Sequence, residues 1–84
     1  MFKNKNENGL NNICGVNVAG LRMAAVPKMS QRMLADKLQL LGIDVDKNAI
    51  QRIECGKRFV TDIEIAALAQ IFAVSCDELL GVKQ

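Results

Sequence analysis

The feature that most constrains this chain is the repeated placement of residues that begin and end short helices. Ser30 and Asp46 each precede an amphipathic stretch, and Gly42 and Gly56 follow the two stretches. The side-chain oxygen of a Ser or Asp just before a helix accepts hydrogen bonds from the free amides of the first helical turn. A glycine just after a helix adopts the left-handed conformation that ends many helices. The chain is therefore predicted to fold into short helices separated by turns.

A first helix is predicted before these two. Asn17 is a suitable N-cap and apolar residues follow it at helical spacing, so this helix is expected over about 17–26. Pro27 helps to end it, because the residue before a proline disfavours helical backbone. Half of the residues are hydrophobic, but there are three Phe and no Trp or Tyr. A core of Leu, Ile, Val, Met and Ala suits helices better than a small β-barrel.

Two more N-caps complete the set. Thr61 or Asp62 precedes a segment through about Phe72 that is apolar over much of its circumference, which predicts a central, buried helix. Ser75, with Glu78 three positions later, matches the capping box that opens a last short helix. The sequence thus predicts an all-α fold, a compact five-helix bundle in one domain.

Several classes of protein are disfavoured by what the sequence lacks. It has no histidine and no glycine-rich phosphate-binding loop, so we do not expect an enzyme. Cys14, Cys55 and Cys76 are odd in number and widely spaced, which favours reduced thiols over a zinc site or a disulfide framework, with Cys76 near the core. No apolar run approaches the roughly 20 residues of a membrane span. We expect a cytoplasmic protein without a metal, a cofactor or an evident small-molecule ligand.

The charges are unevenly distributed along the chain. Residues 28–58 contain seven basic and four acidic residues, a balance of +3. Residues 59–84 contain one basic and four acidic residues, a balance of −3. A basic middle followed by an acidic end indicates an anionic partner for the middle of the chain.

The helices predicted after Ser30 and Asp46, with the turn at Gly42 between them, form a helix-turn-helix pattern. Only Ala49 and the isoleucines at 50 and 53 point inward in the second of these helices, so a narrow stripe docks it and a polar face stays free. The major groove of DNA is about 12 Å wide and admits one such helix. The pattern therefore favours a DNA-binding domain whose recognition helix runs from about Asp46 to Cys55.

Three sequence stretches resemble the lambda-repressor/Cro-like family, also called the XRE-type helix-turn-helix family. They are Ser30-Gln31-x-x-Leu34-Ala35, Ile50-x-Arg52-Ile53-Glu54-x-Gly56-Lys57-Arg58 and Val74-Ser75-x-Asp77-Glu78-Leu79-Leu80. The resemblance covers about residues 16–81. It implies a five-helix DNA-binding fold and a regulator of transcription, a repressor that binds double-stranded DNA as a homodimer on a two-fold site.

The resemblance also implies roles for particular residues. The positions that meet base edges in the family are occupied here by Lys47, Asn48, Gln51 and Arg52. The positions that contact phosphates are occupied by Gln31, Lys57 and Arg58. Arg22 and Glu54 match positions that form a structural salt bridge between the first helix and the recognition helix. The turns at residues 25–29 and 40–45 are longer than in compact members of the family, which affects how the recognition helix docks.

Some readings of the sequence stay open. Residues 1–14 are predicted to be a flexible arm before a DNA-binding domain at residues 15–84, and the arm is either a disordered tail or a segment that follows a DNA groove. The alternative function is a protein-interaction module, such as an antitoxin-like or anti-repressor partner, with an apolar surface supplied by Val74, Leu79, Leu80 and Val82. Cys55, at the end of the recognition helix, is a candidate redox switch.

Overall fold

The computed structural model of the chain describes residues 9–82, and within them it contains five α-helices and no strand. The helices are α1 (Gly15–Ala24), α2 (Gln31–Leu40), α3 (Lys47–Glu54), α4 (Asp62–Phe72) and α5 (Cys76–Leu80). The prediction of an all-α, five-helix fold is confirmed. No helix among the described residues is long and apolar enough to cross a membrane.

Four of the helices begin where their capping residues predict. The hydroxyl or carboxylate of each N-cap accepts a hydrogen bond from the backbone N–H three residues later, at 2.8–3.2 Å; the N-caps are Ser30, Asp46, Thr61 and Ser75. At α4 the Glu64 side chain also accepts from the N–H of Thr61, which completes a capping box and makes Thr61, not Asp62, the N-cap. Local side-chain chemistry therefore sets these helix starts.

The start of α1 was predicted wrongly. The helix begins at Gly15, two residues before Asn17, and Asn12 Oδ1 accepts the Gly15 N–H at 2.9 Å. Asn17 instead donates from Nδ2 to the carbonyl of Leu79 at 2.9 Å, which ties α1 to α5. A partner 62 residues away in sequence therefore takes the side chain that was expected to cap its own helix.

Residues 11–14 also differ from the predicted flexible arm. Asn11 N–H donates to the carbonyl of Gly56, and Asn12 Nδ2 donates to the carbonyls of Ile53 and Arg58. These carbonyls lie at and beyond the end of α3, where backbone acceptors have no partner within the helix. Residues 11–14 thus belong to the folded domain, and residues 1–8 of the predicted arm lie outside the described residues.

The core lies where all five helices meet. Its fully buried side chains are Cys14, Val18, Leu34, Leu38, Ile50, Ile53, Leu68 and Leu79. Met33 and Leu41 are about two-fifths exposed, because the buried stripe of α2 is narrow and consists of Leu34, Ala35 and Leu38. Cys14 is the buried cysteine, whereas Cys76 lies in the first turn of α5 and is exposed, contrary to the prediction.

A glycine allows α1 to approach α3 closely. A Cβ atom on Gly15 would collide with the backbone carbonyl of Ile53, so only glycine fits at this crossing. The close approach brings the first turn of α1 against the last turn of α3. The position of α3 is therefore fixed by backbone contact as well as by its apolar stripe.

Candidate nucleic-acid interface

α3 presents a polar face to solvent. Ala49, Ile50 and Ile53 are at most 5% exposed and face the core. The opposite face carries the four residues predicted to meet base edges, and all are exposed: Lys47, Asn48, Gln51 and Arg52. Within the described part of the chain, their side chains form no hydrogen bond or ion pair. The structure thus brings the four residues together and leaves their donors and acceptors free.

A hydrogen-bonded hub fixes the orientation of this face. Arg22 Nε and Nη2 donate to the two carboxylate oxygens of Glu54 at 2.8 and 3.0 Å, and Arg22 Nη1 donates to the carbonyl of Met29 at 3.1 Å. The bidentate bond to Glu54 raises the pKa of Arg22 above its ordinary value. The predicted salt bridge between Arg22 and Glu54 is confirmed, and it joins α1 to the last turn of α3.

Gln31 belongs to the same hub. Its Nε2 donates to Glu54 Oε1 at 3.0 Å, so the residue predicted to contact phosphate also links the start of α2 to the end of α3. The Glu54 carboxylate therefore accepts hydrogen bonds from two helices besides its own. Because both partners are largely buried, the hub is shielded from solvent and holds the three helices in one arrangement.

An open cleft of about 620 Å³ lies beside the start of α2. Four basic residues and no acidic residue line it, and the basic residues are Arg22, Lys28, Arg32 and Lys47. Lys28 was not among the predicted site residues. Its position in the extended turn just before α2 could have indicated that it lies near this site. The cleft adjoins the α3 polar face through Lys47, so positive charge continues from one to the other.

Arg58 is already engaged within the protein. Its Nη1 and Nη2 donate to the two carboxylate oxygens of Glu64, both at 3.0 Å, and Nη1 also donates to the carbonyl of Phe59. The bond lowers the pKa of Glu64 and raises that of Arg58. Arg58, predicted to contact phosphate, thus links the turn after α3 to the start of α4. Lys57 is exposed, and its side chain has no partner among the described residues.

The long turn between α2 and α3 is held at several points. Gly42 adopts a φ of +85°, and the Ile43 N–H donates to the carbonyl of Leu38 at 3.0 Å. Val45 is 4% exposed, and its carbonyl accepts from Gln39 Nε2 at 2.7 Å. The turn is therefore anchored to the core immediately before the Asp46 cap, and it defines where α3 begins.

Other features of the site are less developed. Cys55 is exposed at the end of α3, and its role as a redox switch stays a prediction. Among residues 9–82, no group of three or more potential metal ligands comes together. Comparisons of the chain with protein-family models, with curated proteins and with solved structures give no match.

Proposed function

We propose that the protein binds double-stranded DNA sequence-specifically, with α2, the following turn and α3 acting as a helix-turn-helix and α3 lying in the major groove. The observation that carries this proposal is the exposed α3 face with four polar side chains that no neighbour uses. On this basis the chain would be a member of the lambda-repressor/Cro-like family, and it would regulate transcription in the cytoplasm as a repressor.

The α3 residues have the chemistry that base recognition needs. Arg52 can donate two hydrogen bonds to the major-groove edge of guanine, and Asn48 or Gln51 can bond adenine through both amide atoms. Each good bidentate contact contributes about 1–3 kcal/mol of discrimination against the wrong base. Lys47, at the first turn of α3, can reach either a base edge or a phosphate. The α3 polar face therefore combines side chains that can recognise particular bases with a flexible cation, Lys47.

Phosphate contacts are supported at both ends of the α3 polar face. At its start, Lys28 and Arg32 join Lys47 around the cleft, which no carboxylate lines. Asp36 and Asp46 lie on the other side of Arg32 and Lys47. At its end, Lys57 is exposed and unpaired among the described residues. Cations in these places would neutralise phosphates of the strands that border the groove. Lys28 and Arg32 thus join Gln31 and Lys57 as proposed phosphate contacts, and Arg58 becomes a residue that positions the turn.

The test is selection of binding sites from a pool of random DNA duplexes at a stated salt concentration. We expect enrichment of one sequence, and a two-fold symmetric site if the protein binds as a homodimer. The control is Lys37→Ala, which removes an exposed α2 cation that lines neither the cleft nor the α3 face and should select the same site. Failure to enrich any sequence, together with no shift of pooled duplexes in a gel, would contradict the proposal and favour a protein-interaction module.

A further inference from the structure

The outward face of α1 is apolar and uncharged. Val16 and Met23 are 75% and 58% exposed, and Gly20 lies between them along the same side of the helix. Ile13, two residues before the start of α1, is 51% exposed and extends this face. The only charged residue of α1 is Arg22, which bonds Glu54. Exposed helix faces ordinarily carry charged and polar residues, so a neutral apolar stripe marks a surface that binds something.

Gly20 is not explained by the fold of its own chain. A Cβ atom added to it would meet nothing within 4 Å, and its φ is not positive. Glycine in the middle of a helix is less favourable than alanine, so its presence here disfavours α1 without any gain within the domain. Gly15 in the same helix differs, because a Cβ there collides with the carbonyl of Ile53. The absence of a side chain at Gly20 leaves room for a group from outside the chain.

A groove of about 400 Å³ adjoins this stripe between α1 and α5. Val16, Gly20, Leu21 and Val74 form most of its lining. Asn17 and Glu78 complete the lining. The same surface therefore carries a projecting apolar side chain, Met23, and a largely apolar groove that can receive one. An interface between two identical copies related by a two-fold axis needs projections and recesses on one surface.

We infer that this α1 face, defined by Ile13, Val16, Gly20 and Met23, is the surface on which a second copy of the chain docks, with the two α1 helices crossing near Gly20. The stripe carries no charge, so two copies meet there without repulsion between like charges. The acidic Glu78 at the edge of the groove disfavours an anionic lipid surface as the occupant. A second copy supplies an uncharged apolar stripe and a projecting Met23, which match the stripe and the groove of this face.

The location of the α1 face is also consistent with DNA binding by two copies, and this point rests on the proposed function. Ile13 and Val16 line a small hollow together with Cys55 and Gly56, at the C-terminal end of α3. A two-fold axis through the α1 face would therefore bring the ends of both α3 helices toward the axis. Two recognition helices related by such an axis can contact the two halves of a two-fold DNA site.

The experiment is sedimentation equilibrium of the full chain without DNA, with circular dichroism to verify the fold. We expect the wild type to dimerise and both Val16→Lys and Met23→Lys to raise the dimer dissociation constant at least tenfold. The control is Leu40→Lys, which replaces an 87% exposed leucine on α2 and should leave the constant unchanged. A wild type that is monomeric at every accessible concentration, or equal effects of all three substitutions, would overturn the inference.

Gly20→Ala separates contact at the interface from a structural effect. Alanine favours the helix, so adding Gly20→Ala to the monomeric Val16→Lys variant should raise its thermal midpoint. In the wild-type background, Gly20→Ala should raise the dimer dissociation constant several-fold. An unchanged dissociation constant would show that the helices do not cross at Gly20. Arg52→Ala should keep full dimerisation while it weakens DNA binding. A wild type that dimerises but binds no duplex would overturn the proposed function alone, and a monomeric wild type that binds DNA would overturn the dimer surface alone.

Discussion

α1 and α3 both turn their buried residues toward the core, but their outward faces differ completely. α3 presents polar side chains whose hydrogen-bonding groups are free, whereas α1 presents an uncharged apolar stripe interrupted by Gly20. Burial constrains the inner faces, because a core accepts only apolar side chains that fit. The outer faces are not constrained in this way, and so their composition is the better guide to what each helix binds.

The two surfaces are connected by the Arg22–Glu54–Gln31 hub. Glu54 lies in the last turn of α3 and Arg22 in the last turn of α1. Their ion pair therefore fixes the orientation of the α1 outward face relative to the α3 polar face. Substitutions in the hub should therefore disturb both surfaces together, whereas substitutions on one outward face should disturb that surface alone.

The largest effect is expected from Glu54→Ala, which disturbs both surfaces. It leaves the largely buried guanidinium of Arg22 without its carboxylate, and we expect the free energy of unfolding to fall by about 3 kcal/mol. Chemical denaturation followed by circular dichroism measures this. Asp44→Ala, at an exposed turn residue, is the control and should change stability by less than about 0.5 kcal/mol. Equal effects of the two substitutions would show that the hub does not hold the helices together.

Arg52→Ala should disturb only the α3 surface. We expect a loss of about 2 kcal/mol in binding free energy on the preferred duplex and a relaxed base preference at one position. Titrations of the selected duplex and of its single-base variants measure both changes, and Lys37→Ala again serves as the control. If the mutant and the wild type discriminate equally between specific and random duplexes, Arg52 does not read a base.

Acidification should weaken a contact that lies outside both surfaces. The hydrogen bonds from Arg58 lower the pKa of Glu64, so the folded state favours the ionised carboxylate. Its contribution to stability is full above the ordinary pKa of a glutamate, about 4.3, and is lost as pH falls through the lower folded-state pKa. We expect Glu64→Gln to cost about 1 kcal/mol at neutral pH and less in acid. Denaturation at both pH values measures it, and a cost that does not depend on pH would contradict the assignment.

The smallest effect is expected at Lys57. Lys57→Ala should weaken binding to all duplexes similarly and reduce the slope of log affinity against log salt concentration by about one. Arg58→Ala is the informative comparison, because its guanidinium is occupied by Glu64 and its removal should lower stability while leaving the slope unchanged. A steeper change of slope for Arg58 than for Lys57 would reverse the two roles.

The sequence by itself determined the features whose causes are local. Ser30, Asp46, Thr61 and Ser75 cap their helices through amides only three residues ahead, so the chemistry that begins each helix can be recognised in a short stretch of chain. The separation of polar and apolar residues around α3 follows from helical periodicity for the same reason. The Arg22–Glu54 pair spans 32 residues and was anticipated through a family resemblance, not through spacing.

Only the tertiary structure decided the features whose partners are distant in sequence. Asn12 bonds carbonyls 41 and 46 residues away, and Asn17 bonds one 62 residues away, so residues that suit an arm or a cap became links between elements. Lys28 joined the basic cleft because the turn after α1 folds back toward α2. Tertiary packing determines these partners, because a side chain forms hydrogen bonds with the unpaired groups that the folded chain brings within reach.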